Sequence, residues 1–232
     1  MKKNRLLELF QGKAPKKIHG WLLLFNVVFL FINFLLAQAF YPETYSILNN
    51  HISNQGGIAR NPDGHLFFTI GAGTAGFLLI PHFLYLYHQL NDERANKDLL
   101  LKIATACGII GCIAFSFVGF IPEDIKVPHD QSANFAFGGL GISAVLFLFV
   151  LLKKSTKNQI EISKQAIAII YGISFSLVGL AVIFPNLDFL ATSTNIDPRW
   201  FSNPPWQWVS FFNVLFWILM VYLIIPGRNR SK

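Results

Sequence analysis

Six apolar stretches constrain this chain more than any other feature, running roughly Gly20–Phe40, His65–Tyr87, Leu99–Phe120, Ser132–Leu152, Ala166–Phe184 and Trp206–Ile225. Each approaches the ~20 residues that a helix rising 1.5 Å per residue needs to cross a hydrocarbon core of about 30 Å. None contains Asp, Glu or Arg, and their one Lys, Lys102, lies at an end where its stem can snorkel. Composition agrees: 53% of the 232 residues are hydrophobic and 13% charged, too few charges for a soluble protein of this length to cover its surface. Disorder, a nucleic-acid arm and a disulfide scaffold are thereby excluded. The expected fold is all-α: a polytopic six-helix transmembrane bundle over residues 18–226, between a basic segment 1–17 and a basic tail 227–232.

Charge in the links predicts orientation, because Lys and Arg accumulate on the cytoplasmic side. The amino-terminal segment, the second and fourth links and the tail hold 16 Lys and Arg, whereas the first, third and fifth links hold one each, Arg60, Lys126 and Arg199. Both termini are therefore expected in the cytoplasm. With five carboxylates inside and seven outside, the inner face carries +11 and the outer face −4. The basic balance thus marks orientation and attraction to anionic lipid, not a nucleic-acid partner. Ala37-Gln38-Ala39 resembles a signal cleavage site. The apolar run before it exceeds the about 7–15 residues of a signal, so the first helix is expected to be retained.

Small residues predict close packing: Gly71 to Gly76 in the second span, and Gly138, Gly139, Gly141 and Ser143 in the fourth. Cys107 and Cys112 read as packing residues. Phe115-Ser116-Phe117-Val118-Gly119 and Phe175-Ser176-Leu177-Val178-Gly179 share a pattern, each followed by a proline (Pro122, Pro185); they mark a parallel repeat or equivalent packing seats. Trp21, Tyr41, Trp200, Trp206 and Trp208 are expected in an interfacial belt, and Leu6 to Phe10 in a short surface helix ended by Gly12. Polar groups within the spans are neutral, which disfavours a proton pump. Asn33, Asn134 and Asn213 are expected to bond between helices, and His82 to find a partner at the inner interface.

Chemistry is expected at the outer links. The first runs Tyr41–Gly64 and the third holds Pro122-Glu123-Asp124-Ile125-Lys126-Val127-Pro128-His129-Asp130. Helices beginning at His65 and Ser132 bring His65, Asp63, His129 and Asp130 together, with His51, Glu123, Asp124 and Arg60 nearby. Three readings fit. His51, His65 and His129 with a carboxylate are a ligand set for a divalent metal such as zinc. Alternatively, His129, Asp130 and His65 act as acid or base, with Arg60, Asp63, Glu123 and Asp124 binding a lipid headgroup. Or Asp63 and Asp130 simply cap the helices that follow them.

Ile52-Ser53-Asn54-Gln55-Gly56-Gly57 through Asn61-Pro62 into a glycine-bearing apolar helix, then Gly119-Phe120-Ile121-Pro122-Glu123-Asp124 and His129 with Ala133, is similar to the prokaryotic six-helix family called domain of unknown function 998. That family resembles the eukaryotic Frag/DRAM/Sfk membrane proteins, some of which act in lipid-anchor remodelling or lipid organisation. The resemblance covers about residues 18–226 and implies an outer-face site built from the first and third links. Asn54 stands where that family usually has an acidic residue, which leaves that position without a carboxylate. A looser similarity is to the CREST membrane hydrolases, whose metal-binding histidines lie inside the spans, whereas these lie mostly at the rims. The expectation is a lipid-handling or lipid-sensing protein with membrane lipids as partners; a metal-dependent lipid hydrolase and a small-solute transporter are the alternatives.

Overall fold

The computed structural model describes residues 5–91, 98–157, 159–160, 162–183 and 203–227. Lys2, Lys3, Arg94, Lys97, Phe184, Pro185, Arg199, Trp200, Arg228, Arg230 and Lys232, on which parts of the sequence reading rest, lie outside the described residues. The described residues are all-helical: α1 (Arg5–Phe10), α2 (Lys16–Ala39), a 3-10 helix (Ile52–Gly56), α3 (His65–Leu90), α4 (Leu99–Phe120), α5 (Lys126–Thr156), α6 (Lys164–Ile183) and α7 (Asn203–Ile224). Five of these, α2, α3, α4, α5 and α7, are long and apolar enough to cross a membrane, while α6 is apolar but shorter. Large side chains such as Trp21, Phe25, Leu35, Ile110, Phe149 and Leu223 stay exposed around the bundle, as a lipid-facing surface requires.

Consecutive helices pack on one another from α2 to α7, and α7 also touches α5. Phe83, Phe147 and Trp217 centre one core, and Phe34, Phe68 and Phe211 the other. Glycines set the α3–α4–α5 seams. A Cβ on Gly119 would strike the backbone nitrogen of Gly73, and one on Gly139 would lie 2.9 Å from the Gly111 Cα. Gly138 and Gly141, expected to mediate close approach, have no neighbour within 4 Å of such a Cβ. They face open space instead. Gly179 is likewise open while Gly119 is jammed against α3, so the two halves of the shared string do not occupy equivalent seats.

Polar bonds fasten the helices. Asn26 donates to the Ala75 carbonyl of α3 at 3.0 Å, and Asn213 of α7 donates to the Ser176 hydroxyl of α6 at 2.6 Å. Asn33 does not bond between helices; it donates to Phe29 one turn back in α2 at 2.9 Å. At one end of the bundle the Lys16 ammonium donates to the Leu223 and Ile225 carbonyls at 3.1 and 2.6 Å, joining the start of α2 to the end of α7. Lys153 pairs with Asp98 at 3.4 Å at the same end of α4 and α5. His82 is buried deeper than an interface, against the rings of Phe83 and Tyr222, with neither ring nitrogen bonded to protein. Cys112 is buried and Cys107 half-buried, as packing residues. Gly12, at φ +71°, ends the turn after α1 in a conformation that favours glycine, and a Cβ there would strike the α3 backbone at Leu84 and Tyr85.

Candidate functional site

The opposite end of the bundle is built from the first and third links, and Asn61 organises the first. Wholly buried, it donates to the Ala37 and Gln55 carbonyls, both at 2.9 Å, and accepts the Gly64 N–H at 3.1 Å. Both amide hydrogens and the oxygen are thereby used. The oxygen does what was expected of Asp63: Gly64 and not Asp63 holds the cap position of α3, and Asp63 is exposed. Ahead of it, the Asn54 side chain accepts the His51 N–H at 2.8 Å, and the Tyr45 hydroxyl donates to the His51 carbonyl at 2.7 Å. The beginning of α7 closes over this link. Gln207 accepts the Ile52 N–H at 2.8 Å, and the Trp208 indole donates to the Asn50 carbonyl at 3.2 Å. Trp208, read as a belt residue, is 6% exposed and acts as this anchor.

The first and third links meet, as expected. Arg60 pairs with Glu123 at 3.2 Å, and the Asp124 carboxylate accepts the N–H groups of Ile58 and Ala59. The remaining residues of the expected cluster separate. His65 turns its Nδ1 to the Pro62 carbonyl at 2.9 Å, on the exposed start of α3. The helix expected from Ser132 begins six residues earlier, at Lys126, so His129 and Asp130 sit in its first turns. Ile125 holds the cap position, and Asp130, like Asp63, is not a cap. The His129 Nδ1–H donates to the Ile121 carbonyl at 2.8 Å, binding the start of α5 to the end of α4. A carbonyl only accepts, so Nδ1 carries the proton of this bond, while Nε2 is buried and unpartnered. His129 shares its helix face with buried Ala136 and Leu140 and looks into the bundle core. His51, His65 and His129 are therefore not gathered as a ligand set, and among the described residues no three His, Cys, Asp or Glu side chains are placed to hold a metal ion.

Asp130 belongs to a different feature. Between α5, α6 and α7 lies a slot of about 760 Å³, lined at one mouth by His51, Asp130, Asn203 and Gln207, and further in by Asn134 and Ser210. Beyond these the walls are apolar, from Phe137 and Ile142 to Leu146, Leu177, Leu180 and Val214. Gly138 and Gly141 line it too, which explains their empty surroundings. From Asp130 to Leu146 the slot follows α5 for about 24 Å at 1.5 Å per residue, most of a ~30 Å hydrocarbon core. The sequence reading missed this slot, although its signal is present. Asn203, Gln207, Ser210 and Val214 recur at offsets of four, three and four, and Asp130, Asn134, Gly138, Gly141 and Val145 at four, four, three and four. Each set forms one helix face, polar at one end and small or apolar at the other.

His51 stands between the Arg60–Glu123 pair and the slot. Burial, the largest influence, holds its imidazole below the ordinary range; Glu123 and Asp130 oppose this, and Arg60 reinforces it. Its ring is therefore neutral near pH 7, which leaves Asp130 as the formal charge on the slot among the described residues. No protein-family model, curated protein or solved structure matches this chain.

Proposed function

We propose that this chain is a six-span membrane protein with both termini on the cytoplasmic side of a prokaryotic membrane, and that it holds a membrane lipid in the slot between α5, α6 and α7. The observation that carries the reading is the slot's polarity gradient. A carboxylate, an imidazole and amides surround one end, and an apolar trench long enough for an acyl chain continues from it. Amphiphiles are the solutes with that profile, and the surrounding bilayer supplies them. Sidedness draws support from Lys16, Lys153 and Lys154 at the end opposite Glu123, Asp124 and Asp130. The lipid-handling role and the likeness to the domain of unknown function 998 family belong to the same reading.

The reading revises the residues assigned to the headgroup. Asp130 is kept and His51 joins it, whereas His65, Arg60 and His129 are engaged away from the slot. The test is to fill the trench. Leucine at Gly138 or Gly141 enters open space, so the bundle folds while the acyl chain loses its seat. Native mass spectrometry of protein released from nanodiscs should show bound lipid on the wild type and its loss in Gly141→Leu. Equal lipid retention by both proteins refutes the reading. Sidedness is tested with a membrane-impermeant maleimide on intact cells, using single cysteines at Glu43 and Ser155 in a background lacking Cys107 and Cys112. Labelling of the first alone is the expected result.

A further inference from the structure

The chemistry of the slot's mouth selects among headgroups, an assignment that rests on the lipid-holding reading. We propose that the mouth takes a lipid whose headgroup ends in an ammonium, with Asp130 as its counter-ion, in preference to a purely anionic lipid.

Three observations converge on this. First, the formal charge lining the slot among the described residues is the carboxylate of Asp130, and no Lys or Arg joins it. The nearby cation of the first link, Arg60, is committed to Glu123 at 3.2 Å. Among the described residues an anionic headgroup entering here meets no cationic partner and faces a carboxylate, whereas an ammonium gains a counter-ion. Second, the amides are arranged to supply donors below that charge. The Gln207 oxygen accepts the Ile52 N–H at 2.8 Å and its side chain also meets the His51 ring, while the amides of Asn203 and Asn134 line the slot beside it. Neutral N–H donors suit the phosphate of a zwitterion, whose charge the ammonium already balances. Third, Ser210 lines the slot while being 6% exposed, and its hydroxyl has no partner in the protein. It lies three residues beyond Gln207 on α7, about 4.5 Å deeper along the axis. A change of rotamer turns this buried hydroxyl into the slot, where it can donate to an ester carbonyl between phosphate and acyl chain. Carboxylate, amides and hydroxyl thus descend in the order of ammonium, phosphate and ester in a zwitterionic phospholipid.

The experiment is a competition in nanodiscs between phosphatidylethanolamine and phosphatidylglycerol of identical acyl chains, with bound species counted by native mass spectrometry. Wild type should retain the ethanolamine lipid in preference by roughly fivefold, the size expected of one partly exposed charge pair. Asp130→Asn should bring the ratio close to one, and Asp130→Lys should invert it. Asp130 is exposed, so both variants should unfold at the wild-type temperature, which is checked in parallel. Ser210→Ala should lower retention of both lipids without moving the ratio. A wild-type ratio of one or below, or a ratio unmoved by Asp130→Asn, overturns the headgroup assignment. The lipid-holding reading survives that result if retention is still abolished by Gly141→Leu. Absence of any slot-dependent lipid overturns both.

Discussion

Alanine at Gly119 and alanine at Gly138 are the same chemical change in two helix interiors of this bundle, and the packing predicts opposite signs. Each substitution gains about 0.5–1 kcal/mol from reduced backbone freedom and helix preference. At Gly138 the new methyl meets nothing within 4 Å, so that gain stands. At Gly119 it overlaps the Gly73 nitrogen and comes within 2.8 Å of the Gly73 Cα and 2.9 Å of the Ala72 carbonyl carbon. Those are backbone atoms with no rotamer to yield, so α3 and α4 must part along their seam, an overpacking cost of about 1–3 kcal/mol. The helix-preference gain cancels between the two variants, leaving a difference of about 1–3 kcal/mol from contact alone. For a chain of this size that is a gap of roughly 2–12 °C in unfolding temperature, at about 2–4 °C per kcal/mol. The protein carries its own reporter: Cys112 is buried, so a thiol-reactive fluorophore reads unfolding in detergent. Gly119→Ala should melt below wild type and Gly138→Ala at or above it. If Gly119→Ala melts as high as Gly138→Ala, the α3–α4 approach is wrong.

The clip that Asp124 makes between the first and third links is exposed, so Asp124→Asn should cost less than about 1 kcal/mol overall while speeding amide exchange at residues 57–60, where the carboxylate accepts two N–H groups. Unchanged exchange there would sink the clip. Because burial lowers the His51 affinity for protons, the unfolded link takes up a proton near pH 6.5 that the folded link resists. His51 therefore leaves stability intact above pH 6.5 and erodes it as pH falls below, so the melting temperature of wild type minus that of His51→Gln should drop between pH 7.5 and 5.5; a constant difference contradicts the burial argument. Asn26→Leu should lower stability by about 0.6–1.7 kcal/mol by removing a bond between α2 and α3, whereas Asn33→Leu, which removes a bond within α2, should be closer to neutral in the same melting assay.

Five membrane-length helices were legible because apolar runs of that length have few alternatives, and the meeting of the first and third links was legible because Arg60, Glu123 and Asp124 stood at the ends of neighbouring helices. The start of α5 was not. Lys126 to Gln131 is polar, and a hydrophobic window ends at the hydrocarbon boundary even when the helix continues beyond it. That six-residue extension moves His129 and Asp130 from a loop onto a helix, where successive residues diverge by 100° and so face different surroundings. Their adjacency in the chain concealed this separation. The glycines show the same limit. Gly139 seals a helix seam while Gly138 and Gly141 open a slot, and only the positions of α4 and α6 distinguish them. The same holds for Asn33, whose amide reaches its own helix one turn back before it can reach another.

The Lys16 ammonium at the Leu223 and Ile225 carbonyls has a consequence for biogenesis. Its two bonds span 207 and 209 residues of chain, so this contact forms only after nearly all the helices have been synthesised and inserted. Until α7 arrives, the edge of α2 is open to lipid and the wall that α7 gives to the slot is missing. Chains truncated before Leu223 should remain assembly intermediates, exposed to membrane proteases, with α2 able to exchange partners that the finished ring excludes.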